Sequence, residues 1–138
     1  MAAGGIFLKG NFAHIVTLDG TKNDHKMIDE KFDKIEMVKN PSQKDVAKIC
    51  DTIARYIKKN DITILTVNRR ITAGQMAGAA GTFLWEGVLL ATSPVPLNFV
   101  HAATLRSTVK KFGDLKKTFP EENVLQSKAY DFAFEGLK

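Results

Sequence analysis

The chain has 138 residues, 44% apolar and 25% charged, the proportions of an ordinary soluble globular domain and enough length to bury one core without cross-links. Its 20 basic residues outnumber 15 acidic ones for a formal charge of +5, which favours polyanionic partners at low salt. No apolar run reaches the roughly 18 residues of a membrane span, the start MAAGGIFLKG lacks a secretory pattern, and a lone Cys50 excludes an internal disulfide; a single cytoplasmic domain over residues 1–138, with no membrane association, is expected.

From Ile6 to about Leu18 apolar residues alternate loosely with polar ones and break at Gly10-Asn11, which predicts two strands joined by a tight turn. DGTKNDH makes a second turn and places Asp19 and Asp24 in it. KMIDEKFDKIEMV then sets Ile28, Phe32, Ile35 and Met37 in an extended pattern, predicting one third strand and an antiparallel meander.

NPSQKDVAKICDTIARYIKKND predicts an amphipathic helix. Ser42 can cap it with Asp45 three residues on, and Val46, Ile49, Cys50, Ile53 and Ile57 recur at helical spacing. Cys50 is thereby a small core residue rather than a nucleophile. Asn60-Asp61 ends the helix, and ITILTV has the continuous β-branched character of a buried parallel strand.

TAGQMAGAAGTFLWEGVLLAT has helical length, with Thr72 as a cap. Its glycines at 74, 78, 81 and 87 each weaken an isolated helix by about 1 kcal/mol, a cost that close packing against a strand or a second chain offsets. Trp85, flanked by Phe83 and Leu84, is expected in the core or at a subunit interface rather than as a base-stacking platform. VPLNFV follows as a strand entered through Pro94 and Pro96, HAATLRSTVKKFG as a basic helix ending at Gly113, and the terminal helix after Pro120 is expected to turn Val124, Leu125, Ala129, Phe132 and Ala133 inward.

Common catalytic patterns are missing. His14, His25 and His101 lack zinc-motif spacing, no Gly-Lys-Ser/Thr follows a glycine-rich loop, and GTFLWEG is not a nucleophile elbow. His101 opens a helix after a strand, where a structural hydrogen bond is the plainest role. Basic residues recur at Arg55, Lys58, Lys59, Arg106, Lys116 and Lys117, each group readable as a solvated face. Arg69 and Arg70 follow a buried strand at the sheet end where open α/β folds place ligands. They could grip phosphates, with Lys9, Lys110 and Lys111 extending a nucleic-acid-binding track.

Three antiparallel strands followed by alternating helices and strands predict an α/β fold, a mixed five-stranded sheet with helices on both faces. The stretches ILTVNRR, AGQMAGAAGTFLWEGVLLA, VPLNFVHAATLRSTVKK and SKAYDFAFEGL follow, in order and approximate spacing, the second half of RuvC Holliday-junction resolvases. The whole chain resembles a compact ribonuclease H-like domain. It is also similar to a small bacterial family of uncharacterised RuvC-related proteins, whose first strand reads much like GIFLKGN.

The resemblance implies acids at the ends of neighbouring elements, binding divalent metals that activate water and stabilise the leaving oxygen. The acid implied on the first strand falls on Phe7, that of the fourth strand on Asn68, and the two implied on the terminal helix on Lys128 and Asp131. Asp131 is thus the catalytic candidate that matches. One carboxylate beside a benzyl group, an amide and an ammonium is a poor cage for Mg²⁺, which needs oxygen ligands and compensating charge. The expectation is a nuclease fold without the resolvase metal site, needing no cofactor and acting as a nucleic-acid-associated or interaction module. One alternative is a Mg²⁺- or Mn²⁺-dependent nuclease with relocated ligands. Asp19, Asp24 and Glu86 are candidates for these, although turn formation and an exposed helix face explain them more simply. Asp131 has a plainer reading too, as a solvated residue or a partner of Lys128 or Lys34. A further alternative is a homodimer or protein-binding module formed through the glycine-rich helix.

Overall fold

The computed structural model describes residues 2–69, 80–116 and 123–138. Strands β1 (Ala2–Lys9) and β2 (Phe12–Gly20) form the expected hairpin. Gly10, at φ 58°, carries the positive φ of its turn, the two-residue arrangement that puts glycine first. The expected third strand is divided into β3 (His25–Ile28) and β4 (Lys34–Glu36), which pair with opposite ends of β2. The cause lies in the segment between them. Asp29, at φ 50°, accepts hydrogen bonds from Asn60 at 2.8 Å and Lys59 at 3.3 Å, while the Phe32 ring stacks on Tyr56 at 4.6 Å. The chain leaves the sheet to lay these two side chains on the first helix and then rejoins it. Asp19 lies within β2, opposite Ala2, rather than in the turn expected for it.

Helix α1 (Gln43–Lys59) starts on a complete Ser42–Asp45 capping box, and the capping hydrogen bonds hold the Asp45 carboxyl below its ordinary range. After it come β5 (Ile62–Asn68), α2 (Ala80–Thr92), β6 (Leu97–Val100), α3 (Ala102–Phe112), a 3₁₀ turn (Gly113–Leu115) and α4 (Val124–Glu135). Gly113 has φ −56° and carries the chain straight into the 3₁₀ turn, so it does not end α3 in a left-handed cap. Arg70, Thr72, Gly74, Gly78, Lys117 and Pro120, for which the sequence raises expectations, lie outside the described residues.

The sheet order is β3-β2-β1-β5-β6, with β4 beside the other end of β2; β1, β5 and β6 are parallel. Its six strands thus occupy five positions, the mixed sheet that the sequence predicts. Strand alternation divides the core. Ile6, Leu8, Ile15, Leu65 and Val67 face α1 and α2, meeting Ile53, Tyr56, Trp85 and Leu89, and Cys50 packs against this cluster. On the other face Ala3, Val16 and Leu18 meet Ala129, Tyr130, Ala133 and Phe134 of α4. Each layer holds a buried polar pair: Thr17 Oγ1 lies 2.5 Å from the Tyr56 hydroxyl. His25 Nδ1 lies 3.2 Å from the Lys22 carbonyl, which can only accept, so Nε2 is left to accept the Tyr130 hydroxyl proton at 2.7 Å. Lys22 closes the end of α4 by donating to the Leu137 and Glu135 carbonyls, where a cation also complements the helix dipole.

Two expected burials reverse. Val124, expected inward, is 54% exposed, whereas Tyr130 and Phe134 are buried because α4 is packed by the sheet, β3 and Lys22 together. Glu86, expected on an exposed face, lies on the buried side of α2 with Trp85 and Leu89. Phe83 and Leu90, three residues before and four after Glu86, are exposed and flank it along the helix. No described helix is long and apolar enough to cross a membrane.

Candidate functional site

Of the four positions at which the resemblance implies an acid, Phe7 of β1 and Lys128 of α4 are in contact, Asn68 ends the neighbouring strand β5, and Asp131 lies further along α4. Phe7 points toward α4 because it shares its parity on β1 with Ala3 and Gly5. Its ring stacks on Phe132 at 6.3 Å, and the Lys128 ammonium sits 5.0 Å above its centroid, a cation–π contact.

Asn68 lies at the end of β5, just beyond the last β1–β5 register pair, Ile6 with Val67. Its side chain extends that ladder: Oδ1 accepts from the Leu8 N–H at 2.7 Å, and Nδ2 donates to the Leu8 carbonyl at 3.2 Å. An amide can make both bonds because it carries a donor and an acceptor. A carboxylate could make the first and would face the Leu8 carbonyl with a second anionic oxygen. Asn68→Asp is therefore expected to cost about 1–3 kcal/mol at neutral pH. The deficit relative to the parent should shrink as pH falls into the range where the new carboxyl protonates and can donate. Urea unfolding at the two pH values measures this, and a pH-independent deficit would mean that the carbonyl contact is not the cause.

Asp131 pairs with Lys116, rather than with Lys128 or Lys34. The four positions thus present a ring, an amide committed to backbone, an ammonium and a carboxylate held by another ammonium. This donor set does not fit a divalent cation, which needs several oxygen ligands. Among the described residues no three His, Cys, Asp or Glu side chains gather into a metal cluster.

Next to Phe7 a cavity of about 540 Å³ opens beside the β1–β2 turn, lined by Lys9, Asn11, Phe12, His14, Lys34 and Leu125. The register places Phe7 opposite His14 and Lys9 opposite Phe12, and Lys34 opposite His14, so all of these side chains share the α4 side of the sheet. Phe12 and His14 stack at 5.9 Å, with the Lys34 ammonium 5.7 Å from the Phe12 ring. Burial, aided by the Lys34 and Lys9 charges and opposed by Asp33, holds the His14 imidazole below its ordinary value.

The other proposed phosphate contacts lie elsewhere. By alternation Arg69 continues β5 toward the α1 and α2 side, and its guanidinium stacks 4.7 Å from the Phe99 ring. Lys110 and Lys111 occupy the last turn of α3, a helix that meets the far end of α4 through Thr108 and Glu135. Leu125 is about 15 Å of helix from Glu135. The fold therefore groups Lys9 with Lys34 and Lys128, two lysines that sequence spacing did not join to it, and separates it from Arg69 and α3. Arg70 lies outside the described residues.

Solved structures that share this architecture include two of RuvC. RuvC of T. thermophilus in complex with a Holliday junction substrate superposes with a TM-score of 0.69 at 12% identity, covering 98% of this chain and 91% of that one. A second Thermus thermophilus RuvC structure gives a TM-score of 0.67 at 12% identity, covering 98% and 92%. The likeness establishes a RuvC-like, ribonuclease H-like fold. No curated protein matches the sequence significantly. A family model described as protein of unknown function (DUF3010) matches residues 1–136, and with nearly its whole length matched the chain belongs to that family.

Proposed function

We propose that this chain is a non-catalytic RuvC-like module that associates with nucleic acid. The observation that carries the first half is the Phe132–Phe7–Lys128 stack. It fills with a ring and a cation the place where the resemblance implies a metal-binding acid. An ammonium over Phe7 also repels any divalent cation approaching it. The second half is supported by the net charge of +5, by the Lys9, Lys34 and Lys128 cluster, and by a fold shared with a protein solved on a Holliday junction. Arg69, Arg70, Lys110 and Lys111 serve in this reading as outlying phosphate contacts.

The test incubates the full chain with labelled junction, duplex and single-stranded DNA and RNA, with Mg²⁺ or Mn²⁺ and without. Binding that weakens log-linearly with salt is expected, without cleavage, and each phosphate-contacting cation replaced by alanine should lower the salt slope by about 1. Metal-dependent cleavage abolished by Asp131→Asn would establish the nuclease instead. An absence of binding at low salt would remove the nucleic-acid half.

A further inference from the structure

We propose that the cavity beside the β1–β2 turn is a nucleotide site, holding a phosphate between Lys9 and Lys34 and the attached unpaired base against Phe12 and His14. The inference deepens the nucleic-acid reading by naming where a strand is held, and for a free nucleotide it stands without that reading.

Three features converge. At about 540 Å³ the cavity falls within the range of about 300–1,000 Å³ of small-ligand sites. Its charge is mainly basic: Lys9 and Lys34 line it and Lys128 sits over the neighbouring Phe7 ring, against Glu36, opposite Phe12, and Asp33, whose charge acts on His14. Among the described residues no carboxylate forms an ion pair with any of the three lysines. Its apolar wall is aromatic, formed by two rings tilted 24° to one another, whereas a simple anion site would need the ammoniums alone.

The base must be unpaired because the stacking surface lies inside a concavity, where a base within a duplex cannot present its face. A strand and a free nucleotide share this chemistry. Protonation gives a supporting signature. His14 faces Lys9 from β1, Lys34 and Glu36 from β4 and Asp33 from the preceding turn, while Lys128 of α4 sits over the neighbouring Phe7 ring. The cations and burial disfavour its charged form, and a bound phosphate would reverse that bias. Binding therefore takes up a proton, and affinity should rise as pH falls through the histidine range.

The experiment titrates the full-length ¹⁵N-labelled protein at low salt with a short oligothymidylate, thymidine monophosphate and inorganic phosphate, following amide shifts and heats of binding. Shifts centred on Lys9, Phe12, His14 and Lys34 are expected, with a loss of about tenfold or more in the Lys9→Gln, Lys34→Gln double variant. Both substitutions are on exposed side chains and should leave folding intact. Tighter binding of the oligomer identifies a strand; equal binding of the mononucleotide identifies a free nucleotide, and either supports the site. Phosphate binding as tightly as the nucleotide would overturn the role of the rings. Oligomer binding undiminished in the double variant would overturn the cavity and leave the nucleic-acid reading standing. Mononucleotide binding at the cavity without polynucleotide binding would do the reverse.

Discussion

Replacing Gly5 with alanine is expected to remove about 3 kcal/mol or more of stability, at or beyond the upper end of the usual overpacking cost. An added Cβ would lie 2.2 Å from the Ala129 carbonyl oxygen and 2.2 Å from the Ala133 nitrogen. Both are backbone atoms of α4, so relief requires the helix itself to move rather than one side chain to turn. Neighbouring Gly4 provides the contrast, since its Cβ would meet the Leu65 Cδ2 at 2.6 Å and the Tyr56 hydroxyl at 3.0 Å. These are side-chain ends that can yield, so Gly4→Ala should cost less. Domains of this kind are stable by about 5–15 kcal/mol, which makes the Gly5 effect a large share of the total. Urea midpoints of the two variants test the order. A Gly5→Ala cost below that of Gly4→Ala would mean that α4 is free to slide, and the Phe7–Lys128 contact that it carries could not be a fixed feature.

That comparison also shows why Gly4-Gly5 reads ambiguously from the sequence alone. A glycine pair before an apolar strand could serve a turn, a phosphate or a packed helix. Deciding among them needs the position of Ala129 and Ala133, more than 120 residues away. Elements set by local chemistry were legible: the Ser42–Asp45 box and the periodic apolar face of α1, the β-branched run of β5, the proline-flanked entry to β6. The division of the third strand was not, because it is decided by Asp29 and Phe32 reaching α1.

The site divides along the same line. The lack of acids at Phe7, Asn68 and Lys128 was readable, since it is a matter of residue identity. The reason for the amide at Asn68 was not, because its partner is the Leu8 backbone on another strand. The Lys9, Phe12, His14 and Lys34 cluster was overlooked although half of its signal was present. Lys9 and Phe7 share one parity on β1, as Phe12 and His14 do on β2. A two-residue turn closing the hairpin joins those pairs into one patch. Lys34 and Lys128 enter through β4 and α4, whose register no local pattern fixes.

Trp85→Ala is expected to cost about 3–5 kcal/mol, because the indole is fully buried and has a hydrogen bond to lose as well. Its Nε1–H donates to the Asn11 carbonyl at 2.9 Å, which also accepts from the Met37 N–H at 2.7 Å. Gly81, one turn earlier, permits this approach, since a Cβ there would lie 2.2 Å from the Asn11 Oδ1 and 2.8 Å from the Gly10 carbonyl. Helix α2 thus clamps the β1–β2 turn from one face of the sheet, while Lys9 and Phe12, at either end of the same turn, line the cavity on the other. Trp85→Phe keeps most of the apolar volume and deletes the donor. With Met37 still bonded to Asn11, its expected cost is about 1 kcal/mol. Unfolding measurements separate packing from hydrogen bonding, and oligonucleotide titration of the folded Trp85→Phe protein adds a functional readout. Weaker binding in that variant, from a residue that does not line the cavity, is the result expected if the turn must be held in place for Lys9 to meet a phosphate. Unchanged affinity would show that the cavity keeps its shape without the clamp.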